Sequence, residues 1–250
     1  MACSAARPID RLSMMRTFLA GVSLTLAVFL LLPWLVLWSL LTGKPDLMYG
    51  MAMNLIRLET RFLRIQVRVE GLEHIPPGAC VFIANHASNL DPIVMIPAIP
   101  RRVRILVKRE LFQIPIFSTA MRLAQFVPVD RGDRKSTGAT VSTVIESLQR
   151  GFSYVVFSEG TRSPDGRMRP FKPGALTMAI EAGVSIVPVS VGGTHRLLAK
   201  GKTIVRPGEA TVRFAPAMDA STYTMAQRGK LLERVEALVA AGLPSDQQPV

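Results

Sequence analysis

Residues 80–92 read Cys80-Val81-Phe82-Ile83-Ala84-Asn85-His86-Ala87-Ser88-Asn89-Leu90-Asp91-Pro92. The first five form a short apolar run with β-branched members, which suits a buried strand. Asp91-Pro92 suits a helix start, with Asp as the cap and Pro at the first helical position. Between the two lies a dense polar segment holding one of the chain's 3 histidines. Folds of the α/β class place functional side chains at strand ends of this kind.

Working outward, the same alternation recurs. IQVRVEG (65–71) alternates apolar and polar residues with period two, and RILV (104–107), YVVF (154–157), VSIVPVSV (184–191) and ATVRFA (210–215) are strand-like. Helical stretches are expected at 92–98, 110–123, 136–150, 174–182 and 224–241. Strands alternating with helices predict an α/β fold, with a mixed, largely parallel sheet covered by helices. The expected division is 1–64 for N-terminal membrane-associated helices, 65–242 for the α/β domain and 243–250 for a disordered tail.

Thr17 to Gly43 carry no charge. A helix of that length reaches about 40 Å at ~1.5 Å per residue, against a hydrocarbon core of ~30 Å. The run is too long for a secretory signal core, and its Leu and Val surround the whole circumference, which favours lipid contact over a buried core helix. Pro33 predicts a kink, and Trp34 and Trp38 prefer the headgroup interface. Gly43-Lys44-Pro45-Asp46 is a turn signal. After it, Met48, Met51, Leu55, Leu58 and Phe62 line one face of an amphipathic helix suited to the interface. Two pictures follow: a full span, or a membrane-associated helical hairpin dipping into one leaflet, with the chain turning back at Pro33. Arginines on both flanks favour the hairpin, which puts the N-terminus and the domain from Ile65 onward on the same, cytosolic face.

The formal net charge is +12, so anionic partners are expected. Aromatic residues make up 6% of the chain and no nucleic-acid-binding motif is present. The hydrophobic anchor makes membrane lipid the better partner and nucleic acid the worse. Cys3 and Cys80 provide neither a disulfide framework nor a metal quartet.

Three stretches carry candidate chemistry. His86 can take a proton from a hydroxyl near neutral pH, and Asp91 is near enough to hold the other ring nitrogen. A satisfied strand-end histidine beside an ordinary helix cap remains an equal alternative. No HExxH pattern or second histidine lies nearby, so a metal site is not expected. Phe157-Ser158-Glu159-Gly160-Thr161-Arg162-Ser163 follows the strand YVVF; its glycine permits close backbone approach, and Arg162 can grip a phosphate with two parallel bonds. A surface turn into Pro164-Asp165-Gly166 is the plain alternative. Arg101 to Lys135 hold nine basic and three acidic residues, either a solvated face or an attractor of anionic headgroups.

Taken together, these stretches resemble the glycerolipid acyltransferases, closest to the lysophosphatidic acid acyltransferase type. NHASNLD (85–91) is similar to the family's NHxSxxD block and FVPVDR (126–131) to its second. FSEGTRS (157–163) is similar to FPEGTRS, with Ser158 where proline is usual, and VPVSVGG (187–193) to the fourth. All four stand in the family's order.

The resemblance implies His86 as general base on the acceptor hydroxyl, oriented and charge-balanced by Asp91. It also implies direct attack on the thioester of acyl-CoA or acyl-carrier protein, with no acyl-enzyme and no cofactor; no GxSxG serine elbow is present. Arg131, Glu159, Gly160, Thr161, Arg162 and Lys172 are implied at the acceptor phosphate. Glu159, which would repel phosphate, is expected to hold Arg131 or Arg162. Three rivals remain. One is the same fold acting on another lysolipid, such as lyso-ornithine lipid. The others are a membrane-bound ester hydrolase and a non-enzymatic basic lipid-surface adaptor.

Overall fold

The structure, a computed structural model, describes residues 10–129 and 134–249. All six strand-like stretches form strands, and the FVPVDR motif adds a short one: β1 (Ile65–Glu70), β2 (Cys80–Ala84), β3 (Val103–Lys108), β4 (Val127–Val129), β5 (Ser153–Phe157), β6 (Ser185–Gly192) and β7 (Gly208–Phe214). A two-residue β8 (Met218–Asp219) joins them. The sheet order is β1-β7-β6-β2-β5-β3-β4, with β8 beside β6. The β6 pairings with β7 and β8 are antiparallel, and the other pairings are parallel.

The period-two geometry of a strand sends alternate side chains to opposite faces. Cys80, Phe82 and Ala84 enter one core, with Leu90, Val94 and Met95. Val81 and Ile83 enter the other, with Val144, Leu176, Leu231 and Val235. Both faces of β2 are covered, so all five residues are apolar and buried. Pro188 sits inside β6, where proline has no donor to give. Ser185 and Ile186 pair with β8, whereas Val189 onward pairs with β7, so Pro188 falls at the changeover between partners. Its carbonyl accepts Ala215 N at 2.9 Å.

The helices that cover the sheet are α4 (Asp91–Met95), α5 (Pro115–Leu123), α6 (Arg134–Gln149), α7 (Gly174–Ala182), α8 (Thr194–Leu197) and α9 (Arg228–Ala241). The stretch expected as one helix over 110–123 is split, because Pro115 opens α5 after a 3-10 turn over Arg109–Gln113.

Before the sheet come α1 (Arg11–Leu26), a π-helical turn (Ala27–Leu31), α2 (Leu32–Thr42) and α3 (Asp46–Phe62). The expected reversal at Pro33 does not occur. The widened π turn ahead of the proline absorbs its missing donor and its ring, so Arg11–Thr42 is one helix. The reversal comes at Gly43, which adopts φ +66° and closes α2. Beyond it α3 packs back, with Met48 buried against Val36 and Ala120. The N-terminal pair is therefore a helical hairpin with its turn at Gly43. This long helix leaves Phe18, Phe29, Trp34 and Leu41 about 70% exposed, and Met51, Leu58 and Phe62 of α3 are exposed too.

A second correction concerns the tail. Leu243 and Gln247 are buried rather than disordered. Gln247 accepts Met168 N at 2.8 Å on its carbonyl and Gly193 N at 2.9 Å on its side chain. One buried leucine and these long-range bonds outweigh a polar composition.

Candidate functional site

β2 lies between β5 and β6, parallel to both, so the carboxyl ends of all three open on the same edge of the sheet. Three motifs far apart in sequence are brought together there. Asn85 locks the end of β2 to β6: its amide donates to Val191 O at 3.0 Å and accepts from Val191 N at 2.8 Å.

His86 follows, with its side chain 14% exposed and its Nδ1 2.8 Å from Asp91 Oδ2. Asp91 is completely buried, and the same oxygen accepts Ala87 N at 2.7 Å and Ser88 N at 2.8 Å. Its carboxylate thus turns back on the loop instead of capping α4. A carboxylate accepts only, so Nδ1 carries the proton and Nε2 is the basic nitrogen. The Phe157 ring stacks on the imidazole, centroids 4.5 Å apart. Phe157 ends β5 and was not singled out from sequence; its place directly before the SEGTRS loop was the available signal.

That loop holds the histidine backbone from both sides. His86 N donates to Glu159 Oε1 at 2.8 Å, and Ser163 N donates to His86 O at 2.8 Å. The expectation for Glu159 is therefore corrected. It is 4% exposed and its Oε1 is turned to the histidine loop, and among the described residues it makes no ion pair with Arg162; its pairing with Arg131 lies outside the described residues. Burial pushes its carboxyl up to about 7, opposed by the bond from His86 N.

A carboxyl raised in this way binds its proton more tightly folded than unfolded. Between its ordinary value and pH 7 the folded state therefore holds more protons, and stability falls as pH rises through that window. The difference corresponds to about 3 kcal/mol. Glu159→Gln keeps the acceptor for His86 N and carries no charge. Its unfolding free energy is expected to change less between pH 5 and pH 8 than that of the parent. Parallel pH profiles in chemical denaturation would contradict this account.

Ser158 and Ser163 of this loop are buried, whereas Gly160, Thr161 and Arg162 reach the surface. Gly160 has φ +74°, and an added Cβ would lie 2.9 Å from the Lys172 side chain, which runs across it. Thr161 and Lys172 are exposed and Arg162 is half-buried. Among the described residues the Arg162 guanidinium and Lys172 ammonium have no protein partner. Lys172 N donates to Ser158 O at 2.7 Å, so the two ends of the loop are tied. Arg131 lies outside the described residues. β4 stops two residues before it and runs parallel to β3. Thr194, two residues after β6, is a further residue of this edge not singled out from sequence; its hydroxyl donates to Asp91 Oδ1.

The acyltransferase family model matches residues 66–192, more than half of the chain. A 1-acyl-sn-glycerol-3-phosphate acyltransferase of Limnanthes douglasii is 28% identical over 74% of this chain and 66% of its own length. The human alpha form is 33% identical over 73% and 66%. The chain therefore spans just under two thirds of the length of either. The crystal structure of the 1-acyl-sn-glycerophosphate acyltransferase of Thermotoga maritima superposes with a TM-score of 0.77 at 26% identity, covering 92% of this chain and 95% of that one. With its four motifs in order, three of them gathered at one edge of a matching sheet, the chain belongs to the acyltransferase family.

Proposed function

We propose that the protein transfers an acyl group from acyl-CoA or acyl-carrier protein to the free hydroxyl of lysophosphatidic acid, giving phosphatidic acid at a membrane surface. The observation that carries this reading is the His86–Asp91 pair beside a loop whose Arg162 and Lys172 have no side-chain partner among the described residues. His86 Nε2 takes the hydroxyl proton as the oxygen attacks the thioester carbonyl. The tetrahedral intermediate expels the thiolate, which recovers the proton from Nε2. Asp91 stabilises the imidazolium between those steps. Arg162 and Lys172, with Arg131, Gly160 and Thr161, receive the acceptor phosphate. A panel of lysolipids with one thioester donor tests the reading. Preferred esterification of lysophosphatidic acid supports it. Equal use of acceptors without phosphate overturns the acceptor assignment, and release of free fatty acid alone favours a hydrolase.

The helix Arg11–Thr42 is long and apolar enough to cross a membrane. Two contacts favour the one-leaflet arrangement. Thr17 Oγ1 accepts Val205 N at 3.0 Å, and Val36 packs on Ala120 of α5. These points stand roughly 29 Å apart along a helix axis, nearly the ~30 Å of a hydrocarbon core. A perpendicular span would carry the catalytic domain into the lipid with it. The N-terminus and the catalytic domain then share the cytosolic face, where thioester donors are made. Cys3 in intact cells is accordingly expected to resist an impermeant thiol reagent until the membrane is opened. Cys80 adds little background, since it is fully buried and desolvation pushes its thiol up to about 11. Labelling of Cys3 in unopened cells would exclude the arrangement.

A further inference from the structure

The two oxygens of Asp91 are served unequally. Oδ2 accepts from His86 Nδ1, Ala87 N and Ser88 N. Oδ1 accepts from the Thr194 hydroxyl. Thr194 is 0% exposed, as is Asp91. It is the first residue of α8, yet its side chain does not cap that helix. The corner that delivers it is closely built. Gly193 has φ +83°, and an added Cβ would lie 2.5 Å from Glu209 O. Gly193 N is held by Gln247, and Thr194 O accepts Leu198 N at 2.9 Å. Leu198 O in turn accepts Ser88 Oγ at 2.6 Å, which returns the network to the histidine loop.

We propose that Thr194 is a positioning residue for the reaction, holding Asp91 through Oδ1 so that His86 keeps its orientation and its proton. The inference rests on the acyl-transfer reading above. Donors on both of its oxygens fix the plane of the Asp91 carboxylate, so Oδ2 stays aimed at His86 Nδ1. The proton of the lysolipid hydroxyl then stays on His86 Nε2 while the new C–O bond forms. The C–S bond breaks, the thiolate takes that proton, and Asp91 neither gains nor loses one. Without the hydroxyl, Oδ1 is a buried anionic oxygen without its donor, and the carboxylate is free to rotate away from Nδ1.

The test compares Thr194→Val, which keeps the shape and loses the hydroxyl, with Thr194→Ser, which keeps the hydroxyl and loses the methyl. Full-length protein is assayed with lysophosphatidic acid and acyl-CoA. Valine is expected to lower kcat about 10- to 100-fold, the effect of losing one bond to a charged group, with both KM values within about twofold. Serine is expected to restore most of the rate. Parent-like kcat in a folded valine variant overturns the proposal, as does a serine variant as slow as valine. If valine does not fold, Thr194→Cys decides: a weaker donor in the same place gives a kcat between serine and a dead site, and an unaltered rate overturns the role. The His86 Nδ1–H proton resonance provides a reading independent of turnover. It is expected to move upfield in the valine variant, because the loosened Asp91 carboxylate holds Nδ1–H less tightly; an unmoved resonance overturns the proposal. If the parent makes no phosphatidic acid, the acyl-transfer reading fails, while the resonance still decides whether Thr194 governs the pair.

Discussion

Replacing His86 by alanine is expected to lower acyl transfer about 10²–10⁴-fold, the usual cost of losing a general base, with the membrane-bound fraction unchanged. The imidazole is positioned by both a buried carboxylate and a stacked ring, at 2.8 Å and 4.5 Å. Asp91→Asn is expected to be nearly as severe for kcat. An asparagine carbonyl can take the Oδ2 place and accept Ala87 N and Ser88 N. Its amide can then face Thr194, whose hydroxyl turns to accept. The loop therefore survives, while the charge that steadies the imidazolium is gone. The pair of variants separates chemistry from folding. Thermal unfolding of Asp91→Asn should stay close to the parent while turnover falls. Near-parental turnover in folded His86→Ala would remove His86 from the mechanism and with it the acyl-transfer scheme.

Arg162→Ala is expected to raise the KM for lysophosphatidic acid strongly, with the donor KM little changed. Losing one charged hydrogen-bond partner is worth about 1.5–3 kcal/mol, or roughly 10- to 150-fold in kcat/KM for the phosphorylated acceptor. Arg131→Ala is expected to act in the same direction. Lys172→Ala should have a smaller effect, since a flexible ammonium on an exposed stem makes a point contact rather than a two-bond grip. The control is an acceptor with the same acyl chain and no phosphate. If Arg162→Ala slows that acceptor equally, the arginine supports the loop and not the phosphate.

Much of this protein can be read along the chain, because the information is local. The run Cys80–Ala84 is apolar at every position, which only a strand covered on both faces requires. The Gly43-Lys44-Pro45 turn and the apolar stripe of α3 follow from glycine's freedom and helical spacing. The His86–Asp91 pair was also legible, since five positions apart lies within reach of a tight loop.

Partners distant in sequence were not legible. Glu159 suggested a companion for an arginine, yet it holds the backbone of His86, 73 positions away. Pro33 signalled a break, but a π turn was a cheaper accommodation than reversing the chain. The last residues looked too polar to pack, yet Gln247 closes the corner that presents Thr194 to Asp91. Composition and periodicity specify which face of an element is buried, because burial depends on the residue's own side chain. A hydrogen-bond partner depends on which strand ends the sheet order places side by side. The sequence by itself therefore determined the elements, the long apolar helix and the closeness of His86 to Asp91. Only the tertiary structure decided what holds that pair in place, because β5 and β6 flank β2 in space and not in sequence.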